Sequence, residues 1–363
     1  MQVRAEQLAG QLQKGLRSVY TVWGDEPLLA QEAGDLVRAA ARRSGCSERQ
    51  VHTVAGAHFD WSGLLGASQA MSLFAQRQLI EIRIPSGKPG KDGGEALQRY
   101  CALAAGNEDV VTLVQLPKLD RNQQQSAWFT ALDAAGVTLR VDPVERGALP
   151  QWIAQRLAAQ GQRVEGGEAG QRTLAFFADR IEGNLLAAHQ EIQKLGLLHP
   201  AGELGFEQVE AAVLDVARYD VFKLGEALLG GQAARALRML DGLQAEGVAA
   251  VLVHWTLAED IRGLKRAKDA LDAGKPLPLA LREARVWGAK ERLFERVLRD
   301  LDRDAAARLL AAANVCDGLV KGLKQPDWPS DPWDGLKRLA LLLLEQTRPQ
   351  RGRHAGERLA LGA

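Results

Sequence analysis

The feature that most constrains the fold is a change of hydrophobic pattern near residue 142. Before this point, short apolar or β-branched runs alternate with stretches of helical spacing; after it, apolar residues follow helical spacing throughout. Strands that alternate with helices predict a parallel sheet with helices on its faces. The predicted fold class is therefore α/β plus all-α, with a parallel-sheet domain followed by helical domains.

Five strands are predicted in the first part of the chain. The clearest is VVTLVQL at 110–116, which is apolar along its length, as expected of a strand buried on both faces. The other four lie at 18–23, 50–54, 78–84 and 137–141. Helices are predicted at 26–44 and 60–70, and the segment 86–94 (SGKPGKDGG) is typical of a mobile surface loop.

After Asp142-Pro143 the pattern predicts helices and no strands. Four short helices are predicted at 147–160, 168–182, 185–198 and 206–216, which together make a small bundle. Longer helices follow up to Gln346, and the Arg-rich end of the chain has no apolar period, so we expect it to be disordered. The predicted domains are 1–141, 142–216 and 217–346, with a basic tail at 347–363.

Composition excludes several classes of function. The 46 basic and 45 acidic residues leave a net charge of +1, which excludes binding to nucleic acid through bulk charge alone. The three cysteines are far apart and form no Cys-x-x-Cys pair, and no apolar run approaches the roughly 20 residues of a membrane span. We expect a cytoplasmic chain, away from membranes, with no metal, no cofactor and no catalytic residue.

A nucleotide site is the chemistry that such a fold would be expected to carry. A phosphate-binding loop G-x-x-x-x-G-K-[ST] belongs between the first long strand and its helix. At that place the chain reads Gly24-Asp25-Glu26-Pro27, in which two carboxylates would repel phosphate and the proline lacks an N–H donor. The strand at 110–116 is followed by proline and offers no acidic residue for magnesium. This is a degenerate nucleotide loop.

Five segments, in this order, resemble one known family. They are GDEPLL at 24–29, QAMSLFAQRQ at 69–78, KLD at 118–120 with WFTAL at 128–132, EGNLLA at 182–187, and RVW at 285–287 with KG at 321–322. Together with the domain layout they resemble the delta subunit of the bacterial DNA polymerase III clamp loader, a relative of AAA+ ATPases. The resemblance implies an AAA+-like sheet domain, a small helical lid domain and a helical collar domain, and it does not cover the basic tail.

The resemblance also implies a function. Members of the family bind the sliding clamp, open one of its interfaces and let it close around primed DNA, while other subunits of a hetero-pentamer bind ATP. The collar, here residues 217–346, would hold the pentamer together. The segment similar to the family's clamp-binding element contains Met71, Leu73, Phe74 and Arg77. Without the resemblance, Leu73 and Phe74 would be interpreted as core residues, because apolar side chains are mostly buried.

Several alternatives stay open. Trp328, in a proline-flanked loop, either packs between helices or stacks on a DNA base. The basic stretches 262–268 and 282–292 either follow a DNA backbone or form solvated helix faces. The whole chain could instead be an active AAA+ ATPase with a divergent loop, or a purely structural stator in the collar.

Overall fold

The structure is a computed structural model, and it describes residues 1–56, 59–69, 77–104, 107–213 and 217–347. The chain divides into two compact units, Met1–Ala148 and Leu149–Ala363, and each is described by itself. None of the helices in the described ranges is long and apolar enough to cross a membrane.

A six-stranded parallel sheet forms the centre of the first unit. Its strands lie in the order β1-β6-β2-β5-β4-β3. Their bounds are β1 Gln2–Val3, β2 Val19–Gly24, β3 Cys46–Thr53, β4 Arg77–Arg83, β5 Val110–Leu116 and β6 Val137–Val141. The two-residue β1 and the longer β3 are the edges, so the four strands between them are paired on both sides.

Helices cover both faces of this sheet. Their bounds are α1 Ala5–Gln13, α2 Pro27–Arg43, α3 Trp61–Gln69, α4 Gly90–Ala104, α5 Arg121–Gln124 and α6 Ala127–Ala135. Leu8 of α1 and Val37 of α2 belong to the core on one face. Leu64 of α3, Leu97 of α4 and Leu132 of α6 belong to the core on the other. Burial of both faces explains why the inner strands are apolar runs.

The predicted strands differ from the observed ones mainly at the sheet edges. The predicted strands 110–116 and 137–141 are confirmed to the residue. The strand predicted at 50–54 begins four residues earlier, at Cys46, because the edge strand β3 is half polar (CSERQVHT) and carries no strong strand signal. The strand β1 was not predicted, since two residues that pair with β6 leave no readable pattern.

The loop predicted at 86–94 is wrong in its second half, because α4 begins at Gly90. Gly93 and Gly94 are buried where this helix meets two tryptophan rings. A Cβ atom on Gly93 would lie 2.4 Å from Cζ2 of Trp61, so glycine allows the helix to approach that closely. The glycines that suggested a loop therefore serve helix packing.

The second unit is helical. Its helices are α7 Leu149–Ala159, α8 Gly167–Ile181, α9 Leu185–Leu198, α10 Phe206–Ala212, α11 Val221–Leu229, α12 Ala233–Ala245, α13 Ala250–Asp272, α14 Leu277–Glu283, α15 Ala289–Asp300, α16 Arg303–Val320 and α17 Pro332–Thr347. The absence of strands predicted here is wrong, because β7 Gln162–Val164 and β8 Gly202–Leu204 pair in parallel. Each has only three residues, too few for an alternating pattern to be read.

One large apolar core unites the helices from α11 to α17. The long helix α13 lies at its centre, with Leu257 and Ile261 almost fully buried, and α16 packs along it. The α/β plus all-α class is therefore confirmed. The subdivision into 142–216 and 217–346 stays a prediction.

Two residues of the segment 182–187 shape the joint after α8. Asn184 caps α9, because its side-chain oxygen accepts a hydrogen bond of 3.2 Å from the Ala187 N–H. Gly183 has a φ of +77°, and a Cβ atom there would lie 1.9 Å from the Arg218 carbonyl oxygen. Only glycine permits this close approach, so both residues have structural roles here.

Candidate functional site

The degenerate nucleotide loop lies where β2 ends and α2 begins. Gly24 closes the strand with a φ of +147°, and a Cβ atom on it would lie 1.7 Å from the carbonyl oxygen of Val141. The loop is therefore drawn tightly against the end of β6. The Asp25 N–H donates to the same Val141 oxygen at 3.2 Å, so this loop amide is already engaged.

The chain's own carboxylate occupies the N-terminus of α2. Glu26 is the N-cap residue, and its Oε1 accepts a hydrogen bond of 3.2 Å from the Leu28 N–H. Pro27 follows as the first helical residue and has no N–H to offer. A helix N-terminus is a ready site for an anion because its first amides are unpaired and its dipole favours negative charge. Here that place is filled by Glu26.

Burial makes this carboxylate unusual. Glu26 is only 7% exposed, and removal from water raises its pKa, while the neighbouring charges of Asp25 and Glu32 raise it further. A phosphate brought to the same helix end would add negative charge beside a carboxylate that is already poorly solvated. The Glu26 carboxylate thus occupies the space that a phosphate would need, and its charge would repel the phosphate.

The remaining charges near the loop are paired with each other. Lys118, which follows β5, donates to Asp25 at 2.7 Å across a partly exposed surface. The strand itself ends in the buried Leu116 and is followed by Pro117, so no carboxylate stands there to hold magnesium. Within the described loop, the charged groups of Asp25, Glu26 and Lys118 all have partners.

The predicted clamp-binding residues Met71, Leu73 and Phe74 lie outside the described residues. Their assignment stays a prediction. The described elements on either side are firmly anchored: Leu64 of α3 is 1% exposed and Leu79 of β4 is 4% exposed. The segment therefore starts and ends on packed secondary structure.

Arg77, the fourth predicted clamp-binding residue, is described and has backbone partners. Its Nε and one terminal nitrogen donate to the Glu108 carbonyl oxygen at 2.9 and 2.7 Å. The other terminal nitrogen donates to the Ser44 carbonyl oxygen at 3.1 Å. These bonds tie the start of β4 to two neighbouring loops, so Arg77 fixes the point at which residues 70–76 rejoin the sheet.

Trp328 packs rather than projecting freely. Its ring is half-buried against the core of the second unit, and the Arg338 guanidinium lies over one face, 4.7 Å from the ring centroid. Arg338 also donates to the carbonyl oxygen of Asp327, which holds it in place. The packing interpretation thus gains direct support, and a role in DNA contact stays a prediction.

The two basic stretches of the second unit differ in their pairing: the four cations of 262–268 have nearby carboxylates, whereas in 282–292 the exposed Arg282, Arg285 and Arg292 have no ion pair within the described part of the chain. Arg262 donates to Glu259 at 2.7 Å, and Lys265 forms an ion pair with Asp269 one turn away. The contacts of Lys290 are similar, with its Nζ 2.7 Å from Oδ1 of the nearly buried Asp260. For 262–268 such pairing is typical of a solvated helix face, the second of the two interpretations, and for 282–292 both interpretations stay open.

Sequence reasoning missed a cluster of charges around Glu81. Its carboxylate is fully buried on β4 and accepts hydrogen bonds from Arg38 of α2 at 2.7 Å and Arg49 of β3 at 2.6 Å. Arg83 donates to it at 3.1 Å. A glutamate within the apolar run QLIEIRI was the available signal, because an unpaired charge cannot be buried in such a strand.

The three arginines reverse the effect of burial on the pKa of Glu81. Burial alone would raise its pKa, but hydrogen bonds from Arg38 and Arg49, with the charge of Arg38 and a bond from Arg83, lower it to about 2. The carboxylate therefore stays ionised and holds the guanidinium groups in fixed positions.

Comparison with known proteins defines the class to which this chain belongs. The family model described as DNA polymerase III, delta subunit, matches residues 20–142, the sheet domain with its closed nucleotide loop. The DNA polymerase III subunit delta of Escherichia coli is 34% identical over 93% of this chain and 95% of its own length. That of Haemophilus influenzae is 30% identical over 70% of this chain and 73% of its own.

The chain therefore belongs to the delta-subunit family of DNA polymerase III, and the resemblance found in the sequence is confirmed. A solved Bacillus subtilis DNA clamp loader delta protein is 16% identical, with a TM-score of 0.49 over 94% of this chain and 99% of that one.

Proposed function

We propose that this chain is the clamp-loader subunit that binds and opens the sliding clamp for loading onto primed DNA during replication. The observation that carries the proposal is its membership of the delta family, at 34% identity over nearly the whole length of a curated member. The chain would act in the cytoplasm as a non-catalytic part of the polymerase holoenzyme. Other subunits of the clamp loader would join it through residues 217–346.

The clamp contact would be made by Leu73 and Phe74, with Met71 beside them. Burying an apolar side chain of this size in a partner contributes about 1.5–3 kcal/mol. A few such anchors often supply most of the binding free energy of an interface. The firmly packed elements α3 and β4 at either end of the segment would transmit the force of this contact to the sheet.

To open the ring, the chain must bind the open clamp more tightly than the closed one. A ligand shifts an equilibrium only by the difference between its affinities for the two states. Moving a two-state element from 1:99 to 99:1 takes about 5.5 kcal/mol of that difference. Two well-buried anchors with their surroundings reach this range, so the opening step needs no ATP hydrolysis by this chain. ATP bound to neighbouring subunits would instead expose the segment.

We test this function by replacing both anchors, Leu73→Ala and Phe74→Ala, in the full chain. Affinity for the purified clamp, measured by biolayer interferometry, should fall by at least about a hundredfold, the effect of losing roughly 3 kcal/mol. Assembly with the other subunits should be unchanged. A matched control is Leu197→Ala with Leu198→Ala, an adjacent pair of exposed leucines at the end of α9. Equal clamp affinity in the two double variants would refute the assignment.

Two other functions remain to be tested against this one. An active ATPase would bind ATP saturably as the isolated chain, which isothermal titration calorimetry measures. The buried Glu26 carboxylate at the start of α2 argues against it. A purely structural stator would join the other subunits without binding the clamp, so a pull-down between the isolated chain and the clamp distinguishes it.

A further inference from the structure

A basic cleft in the first unit has no part in the function proposed above. It has a volume of about 720 Å³ and lies between α2, the middle of β3 and the carboxyl ends of β4 and β5. One wall carries Arg38 and Arg42, which lie one turn apart on α2. The other carries Arg49 of β3 and Arg83 of β4.

The charge of this cleft is positive. Four guanidinium groups stand against two carboxylates, Asp35 on the rim and Glu81 beneath the floor, so the net charge is +2. Glu81 is completely buried, whereas the side chains of Arg49 and Arg83 are 48% and 41% exposed. The negative charge is thus shielded below, and Arg49 and Arg83 face the solvent, whereas Arg38, with 18% of its side chain exposed, is mostly buried.

Glu81 also orders the arginines that a ligand would meet. It holds Arg38 and Arg49 by two hydrogen bonds each, so both guanidinium planes are fixed before anything binds. Arg83 is fixed by a single bond of 3.1 Å and keeps its other terminal nitrogen available. The Arg42 guanidinium is exposed and makes no ion pair or hydrogen bond with any residue in the described ranges. Ordered donors lose less conformational entropy on binding than free ones.

The chemistry of the cleft selects phosphate. Its cations are all arginines, whose planar forks fit phosphate oxygens in pairs, whereas lysine acts as a point charge. Among the described residues no aromatic ring lines it, so these residues offer no surface for stacking bases. Arginines one helical turn apart, facing two more across an open channel, suit a row of phosphates. We propose that this cleft binds the phosphodiester backbone of a nucleic acid, without reading its sequence.

This proposal goes beyond the proposed function, which assigns no DNA contact to this cleft. It also differs from the DNA contacts considered at Trp328 and at the basic stretches 262–268 and 282–292. A sequence-independent site contributes affinity through neutralised phosphates, so its signature is dependence on salt. Each arginine that contacts a phosphate adds about one unit to the slope of log K against log salt.

The test compares two neighbouring arginines of α2. Arg42→Gln removes a cation of the cleft whose side chain has no described partner, and Arg43→Gln removes another exposed arginine, which lines a different cleft. Binding of fluorescein-labelled single-stranded and duplex oligonucleotides to the full chain is followed by fluorescence anisotropy over a salt series. We expect Arg42→Gln to weaken binding by about three- to tenfold and to lower the salt slope by about one. Arg43→Gln should change neither.

Several results would overturn the proposal. They are the absence of binding by the unaltered chain at low salt, equal effects of the two substitutions, or stronger competition by a poly-glutamate peptide than by an oligonucleotide of equal charge. The last would assign the cleft to an acidic protein segment instead. Arg49→Gln is a second variant on the opposite wall and should weaken binding to a similar degree. Clamp affinity should stay unchanged in every one of these variants, which separates this proposal from the proposed function.

Discussion

Two buried glutamates of the sheet unit show how the same side chain serves opposite purposes. Glu26 at the start of α2 is 7% exposed and has one backbone amide as its partner, so burial raises its pKa. Glu81 on β4 is 0% exposed, yet its arginine partners hold its pKa at about 2. The difference lies in the neighbours, since burial is nearly equal.

The site at Glu26 is closed, whereas the site at Glu81 is organised by its ion pairs. At Glu26 a carboxylate fills the place that a phosphate would need, and no free cation remains beside it in the described loop. At Glu81 a carboxylate gathers three cations, of which Arg49 and Arg83 are exposed to solvent and Arg38 is mostly buried. The loop thus has a carboxylate where a phosphate would lie, whereas the cleft beside it is lined by arginines.

Removing the charge of Glu81 should have the largest effect on the stability of the sheet unit. The substitution Glu81→Gln leaves Arg38 without its buried counterion and should lower the free energy of unfolding by about 2–4 kcal/mol. Urea denaturation followed by circular dichroism measures the loss. Glu95→Gln, at an exposed position of α4, is the matched control and should change stability by less than about 0.5 kcal/mol. A loss below about 1 kcal/mol for Glu81→Gln would contradict the ion-pair account.

Low pH should reduce the difference in unfolding free energy between the unaltered chain and Glu81→Gln. The pKa of Glu81 is lower in the folded chain than the ordinary 4.5, so its stabilisation is complete above about pH 4.5 and is lost as pH falls toward about 2. Between about pH 7 and pH 3 the gap in unfolding free energy between the unaltered chain and Glu81→Gln should shrink by about 2 kcal/mol. Denaturation at a series of pH values measures it. A gap independent of pH would show that packing, not charge, causes the loss.

Glu26 should behave in the opposite way and with a smaller effect. Its pKa is raised on folding, so the ionised form costs stability at neutral pH; that cost shrinks as pH falls below the folded pKa and is gone below the ordinary 4.5. Glu26→Gln removes the charge and keeps an oxygen that can accept from the Leu28 N–H. It should stabilise the chain by up to about 1 kcal/mol near neutral pH, measured by the same denaturation. Destabilisation of more than about 1 kcal/mol would mean that the charge of Glu26 supports the fold.

The sequence predicted those parts of the fold that depend on local pattern. The strands β5 and β6 were located to the residue because strands buried on both faces are continuous apolar runs. The edge strand β3 and the three-residue strands β7 and β8 were misjudged or missed, since their pairing depends on distant partners. The start of α4 was missed because Gly93 fits against a tryptophan that only the folded chain brings near.

The same distinction applies to the candidate sites. The closed nucleotide loop is a run of four adjacent residues, so it could be recognised in the sequence. The cluster around Glu81 includes Arg38 and Arg49, which are 43 and 32 positions away in the sequence. Because of this separation, no local pattern predicts the cluster. For residues 70–76 the family resemblance supplied the assignment, and it stays a prediction.

The central claim is that this chain opens the clamp by an apolar contact and without ATP of its own. The most direct measurement places a fluorophore pair across one interface of the clamp and adds the isolated chain, with and without ATP. We predict the same degree of opening in both conditions and none with the Leu73→Ala, Phe74→Ala variant. Opening that requires ATP, or that persists in this variant, would contradict the account.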